Sequence, residues 1–240
     1  QSGKTANFSG VIAKAADSGF KLIVVLSGMF NDLRQQTQIR LSQEITGQSS
    51  HPKGHHVDGS IFTKKWHEIT TDDINNGDIH QFKANKDLSH LRDDNPCLVV
   101  TKKQVDALNA LITWSSGLTP EERDKIDLLL IDDEADVASI NTEAKSDIKD
   151  ANVINKRLRT FLHMYKRRAY VGYTATPFAN VFINPRKGGD GVVNDEGKPP
   201  TNEPLDTLYP GDFIVALPKP DNYLGFLELF PTNNDESGSK

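Results

Sequence analysis

Leu129-Leu130-Ile131-Asp132-Asp133-Glu134-Ala135-Asp136 is a run of aliphatic residues that ends in a tetrad of acidic and small ones. An unbroken apolar run bounded by polar residues is the pattern of a strand buried on both faces, which parallel sheets favour. The strand is predicted over Asp127 to Asp132, and similar runs lie on either side of it. Lys21 to Leu26 and Cys97 to Thr101 precede it, and Ala169 to Tyr173 follows. Between them the apolar spacing changes to the helical period. Phe8, Val11, Ile12 and Ala15 share one face of a segment from Lys4 to Ala16, and Val105, Leu108, Leu111 and Ile112 mark a helix that stops at Ser115-Ser116-Gly117. Ile154, Leu158, Phe161, Leu162 and Tyr165 mark another. A polar helix is expected through Arg34, Gln35, Thr37 and Arg40. Strands alternating with helices predict an α/β fold with a parallel sheet flanked by helices. One such domain is expected over residues 1–184, with a polar insertion over about 44–95. A Gly- and Pro-rich connector at 185–204 and a tail at 205–240 complete the chain. The tail carries a strand-like Asp212 to Leu217 and reads as a domain edge or the start of a second domain.

Composition narrows the classes. At 240 residues and 36% hydrophobic content the chain has enough apolar surface for a sizeable core. A single cysteine, Cys97, rules out an intramolecular disulfide and fits a reducing, cytoplasmic setting. No apolar run reaches transmembrane length, so no membrane partner is expected. The net charge of −5 argues against tight nonspecific binding of nucleic acid by the whole surface, although a local basic stripe remains compatible with it.

The tetrad supplies the chemistry. A strand that delivers adjacent carboxylates to its C-terminal edge suits nucleotide hydrolysis, with one acid to hold Mg²⁺ and one to align the attacking water. Asp133 is the expected metal ligand, Glu134 the expected base, and Asp136 a contact to the phosphate loop or to the Thr174–Pro177 segment. At the other end of the sequence Gln1-Ser2-Gly3-Lys4-Thr5 matches the second half of G-x-x-x-x-G-K-[ST]. The first glycine of that pattern, and the strand leading into it, are expected upstream of Gln1. Backbone N–H groups around Gly3 and the following helix start would cradle phosphates, Lys4 would reach the β and γ groups, and Thr5 would bind Mg²⁺. ATP and Mg²⁺ are the expected cofactors.

A Lys-Thr loop, then Asp-Glu-Ala-Asp, then Thr174-Ala175-Thr176-Pro177 resembles motifs I, II and III of superfamily 2 helicases in their usual order. The longer strings at residues 1–8, 131–136 and 172–180 (Gln-Ser-Gly-Lys-Thr-Ala-Asn-Phe, Ile-Asp-Asp-Glu-Ala-Asp and Gly-Tyr-Thr-Ala-Thr-Pro-Phe-Ala-Asn) resemble the bacterial Z-one domain family. Members of that family are described as endonucleases and linked with restriction-type or phage-defence loci. The resemblance implies a RecA-like P-loop ATPase domain acting on DNA or RNA, with the other half of its site and an arginine finger supplied by a second such domain. It also implies that Thr174 and Thr176 relay the γ-phosphate state to the nucleic-acid face. Ser27, Gly28, Arg34 and Thr37, in the place of motif Ia, are implied to face strand phosphates.

Two other classes compete. An endonuclease would need converging metal carboxylates, and Glu143-Ala144-Lys145 is the nearest pair of that kind outside the tetrad. A scaffold without turnover is the other, and the intact Lys4, Thr5, Asp133 and Glu134 argue against it. His51, His55 and His56 read as a solvated loop, because a structural zinc site normally needs four converging ligands. Lys156, Arg157, Arg159, Lys166, Arg167 and Arg168 read as a solvated basic helix whose last turn suits the helix dipole.

Overall fold

The computed structural model describes residues 4–48, 64–81, 88–136, 148–176, 208 and 211–217, with the side chains of Thr5 and of 148–152 outside that description. Five strands occur among these residues: β1 (Leu22–Ser27), β2 (His67–Glu68), β3 (Cys97–Thr101), β4 (Asp127–Asp133) and β5 (Arg167–Tyr173). They form one sheet in the order β2-β3-β1-β4-β5, and every pairing is parallel. The helices are α1 (Lys4–Asp17), α2 (Asn31–Leu41), α3 (Val105–Ser115), the four-residue α4 (Pro120–Arg123) and α5 (Ile148–His163).

Alternation along the strands builds two cores. Leu22, Val24, Leu26, Cys97, Val99, Leu128 and Leu130 point to one face, where Ala107, Leu108, Leu111 and Trp114 of α3 and Ile154, Leu158 and Phe161 of α5 cover them. Ile23, Val25, Leu98, Val100, Leu129 and Ile131 point to the other and meet Phe8, Ile12 and Ala16 of α1 with Leu41. Each such side chain removed from water contributes roughly 1.5–3 kcal/mol, so the central strands hold the molecule together as a three-layer α/β/α arrangement. The edge strand β5 is different, since of its seven residues only Tyr173 is buried.

The polar stretch over 44–95 is less peripheral than its composition predicts. It supplies β2 to the sheet, and its Trp66, Ile69, Ile79 and Leu91 are buried in the two cores. Its polar residues work inward as well. Thr70 donates to Gln38 Oε1 at 2.7 Å and accepts from Val100 N at 2.7 Å. Asp78, also buried, accepts from the amides of Ile79 (2.6 Å) and Lys102 (3.3 Å). Asp212 to Leu217, expected as a strand, forms none and is not in the sheet, and Phe213, Ile214 and Val215 stand exposed. The connector at 185–204 lies outside the described residues.

Candidate functional site

Register places the chemistry. Ser27 of β1 is level with Asp133 of β4, and Asp133 is level with Tyr173 of β5, so three strands end in one row. The C-terminal ends of parallel strands are where open α/β sheets bind ligands, because the loops there diverge and the peptide dipoles converge. Helix α1 begins beside this row. Lys4 Nζ lies 3.4 Å from Asp133 Oδ1, with both side chains about a fifth exposed (19% and 23%). The lysine of the expected phosphate loop and the carboxylate of the expected metal site are thus brought together although they lie far apart in the sequence. Gly3 and the Thr5 side chain lie outside the described residues.

The strand leaves the sheet at Glu134, whose φ of 61° is left-handed. That turn swings the carboxylate back over the end of β1, where a Cβ added to Gly28 would sit 3.5 Å from Glu134 Oε2. The turn is fastened from below by a residue that the sequence does not flag. Lys103, fully buried just past β3, donates to the carbonyl oxygens of Asp133 (3.2 Å) and Glu134 (2.8 Å). The same ammonium is ion-paired with the buried carboxylate of Asp132, which also accepts from the Tyr170 hydroxyl at 2.8 Å. Three consecutive residues of the tetrad region therefore hang on one lysine. Thr101-Lys102-Lys103-Gln104 follows a buried strand, at the edge where ligand sites form, but nothing in that string separates Lys103 from an ordinary solvated lysine.

The following segment is tied to the same turn. The amide of Ala135 donates to Tyr173 O at 2.9 Å, and the Tyr173 hydroxyl donates to Asn7 Oδ1 of α1 at 2.8 Å. Burial, and then the charge of Asp133, push the Tyr173 phenol above its ordinary range. Thr176 donates to Asp136, while its amide donates to Thr174 Oγ1 at 2.9 Å. Burial would raise the Asp136 carboxyl, but hydrogen bonds from Thr176 and Thr174 outweigh it and hold the group below the usual carboxylate range. Asp136, Thr174 and Thr176 thus meet, whereas Asp136 shows no contact to Lys4 among the described residues.

The four residues expected to face strand phosphates are placed otherwise. Arg34 is fully buried, and its guanidinium donates to the carbonyl oxygens of Thr71 (2.8 Å) and Asp73 (2.7 Å). It is a clasp between α2 and the 71–78 loop. Ser27 is buried and only weakly bonded, to Thr101 O at 3.5 Å. Gly28 is buried with a φ of 74°. Thr37 is half-buried and donates to Leu33 O within its own helix. The surface next to them is made by other residues: Met29, Phe30, Asn31, Asp32, Lys102 and Gln104 line an open cavity of ≈ 370 Å³. Phe30 is 71% exposed on its rim. Of the basic segment, Arg167 pairs with Asp127 and Arg168 donates to Tyr165 O at 2.8 Å, while Lys156 is exposed. His51, His55, His56, Glu143 and Lys145 lie outside the described residues. Comparisons of the chain with protein-family models, with curated proteins and with solved structures give no match.

Proposed function

We propose that this chain is the nucleotide-binding part of a RecA-like, superfamily 2-type ATPase that acts on DNA or RNA. The observation that carries the reading is the pairing of Lys4 with Asp133 at the C-terminal row of a parallel sheet, beside the carboxylate of Glu134. The donor set suits magnesium and triphosphate. Asp133 offers a hard, partly exposed carboxylate oxygen, the ligand type Mg²⁺ selects, and Lys4 offers the ammonium that a phosphate oxygen needs. Bound Mg-ATP would supply the β–γ bond and the charge that the ion neutralises. The chain's own residues then divide the work. Lys4 would exchange its ion pair with Asp133 for phosphate oxygens, and Asp133 would then be free to hold the ion. Glu134, lifted out of the strand line by its turn, orients a water and accepts its proton. Tyr173 and Thr176 connect that turn to α1 and to the 174–176 segment, a route by which the nucleotide state reaches the rest of the molecule. For nucleic acid, the exposed ring of Phe30 at the end of β1 supports a stacking contact with a base.

In the intact protein, Glu134→Gln keeps the shape and removes the base, so ATP turnover is expected to fall by roughly 10²- to 10⁴-fold with ATP binding retained. Lys4→Ala is expected to lose binding as well. Steady-state hydrolysis and calorimetric titration with ATP check both, and normal turnover by Glu134→Gln would overturn the proposal.

A further inference from the structure

At the opposite end of the sheet, where the strands begin, three side chains from separate segments converge. His67 stands on β2, His90 in the 3₁₀ turn Leu88–Leu91, and Asp93 in the loop that leads into β3. One donor atom from each lies within 4.8 Å of the others. The two imidazoles stack with ring centroids 4.1 Å apart and planes 26° from parallel, and Asp93 Oδ2 lies 2.5 Å from His67 Nε2. From these positions we infer that His67, His90 and Asp93 form a site for a divalent transition ion, Zn²⁺ in the first place.

Three features support the assignment. First, the ligand chemistry is selective: two imidazoles and one carboxylate suit borderline ions, whereas Mg²⁺ and Ca²⁺ prefer all-oxygen cages. Second, the spacing is close to what coordination needs. Zn–N and Zn–O bonds of about 2.0–2.2 Å in a tetrahedron put neighbouring donors about 3.3 Å apart, so rotations of side chains that already meet are enough. Third, the carboxylate is supported from behind. Asp93 Oδ1 accepts from Lys21 Nζ at 2.9 Å and from the Asn95 amide at 2.8 Å, which turns Oδ2 toward the imidazoles. Outer hydrogen bonds of this kind orient metal ligands. Asp93 is 41% exposed, so the fourth position opens to solvent. The six residues of β1 at about 3.3 Å each separate this end from the Lys4–Asp133 pair by roughly 20 Å. The site is independent of the nucleotide reading. Its consequence is structural: a bound ion ties the two-residue β2, the 3₁₀ turn and the β3 entry into one unit.

The metal-free 240-residue chain, titrated with Co²⁺, is expected to develop visible d–d absorption that saturates at one equivalent and bleaches when Zn²⁺ is added. His90→Gln and Asp93→Asn are each expected to weaken binding roughly tenfold or more, by the scale of ligand-shell losses. A chain with His51, His55 and His56 all changed to alanine is expected to bind like the unaltered one. The unaltered chain should also melt at a higher temperature with Zn²⁺ than without it, which reads the site with no substitution at all. A featureless Co²⁺ titration, an unchanged melt, undiminished affinity in His90→Gln, or loss of binding in the triple-alanine chain overturns the assignment.

Discussion

Lys103 and Asp132 are both fully buried, and neither charge tolerates that position without the other. Removing one partner of a buried pair leaves an uncompensated charge and costs about 3–5 kcal/mol, whereas replacing both with apolar or neutral groups is often close to neutral. Lys103→Met and Asp132→Asn are therefore each expected to lower the urea midpoint sharply, and the double variant is expected to recover much of the loss. A double variant as unstable as the sum of the singles would mean that the two do not act as a pair. The lysine has a second task, because its bonds to Asp133 O and Glu134 O fix the turn that presents Glu134. On the proposed ATPase function, the double variant should then fold and still turn over ATP poorly, the opposite of what a purely structural ion pair predicts. Asp133, Glu134 and Lys4 could be singled out from the sequence because their types and spacing carry a chemical pattern. Lys103 could not, since a lysine after a strand is ordinarily solvated and only the sheet order brings it under β4.

At the level of elements, the buried strands were readable because β1, β3 and β4 are apolar on both faces, a property that belongs to the strand alone. β3 runs over the predicted residues, Cys97–Thr101. β5 begins at Arg167, two residues before the apolar run, because an edge strand tolerates arginine where a central one does not. Two-residue β2 has no periodicity to read, and it exists only because the amides of His67 and Ile69 find Pro96 O and Leu98 O at 2.9 Å. Asp212 to Leu217 fails in the opposite way, with strand-like residues and no place in the sheet among the described residues. Arg34 was misplaced for a similar reason: a helix arginine reads as surface unless the carbonyls that bind it are known. Its clasp depends on Gly77, where an added Cβ would fall 2.3 Å from Thr71 O and 2.4 Å from Asp73 O. Gly77→Ala must push those carbonyls off the guanidinium, and a loss of about 1–3 kcal/mol is expected from such overpacking. Denaturant unfolding checks it, and a loss below a few tenths would show that the loop gives way freely.

Over the whole molecule, a parallel sheet has two unlike ends, and this chain uses them differently. The C-terminal ends gather Lys4, Asp133, Glu134 and the 174–176 segment, and the N-terminal ends gather His67, His90 and Asp93. The first gathering follows from strand order and register, so it was legible once four strands were recognised. The second depends on β2 and on the turns before β3, which have no pattern in the sequence. The C-terminal row of the sheet also carries a strained backbone position. A residue with a side chain held in the left-handed region costs roughly 1–2 kcal/mol, and Glu134 sits there with a φ of 61°. The carboxylate is thus presented from a backbone angle that lowers thermal stability. Glu134→Gly and Glu134→Ala both delete the carboxylate, but only glycine accepts the backbone angle without strain. The glycine variant is expected to melt about 2–4 °C above the alanine variant, on the scale for a chain of this size. If differential scanning calorimetry finds the two melting together, the turn holds no strain. If they separate as expected, the residue at this turn is there for its carboxylate, as the proposed hydrolysis requires, and not for the backbone angle it must adopt.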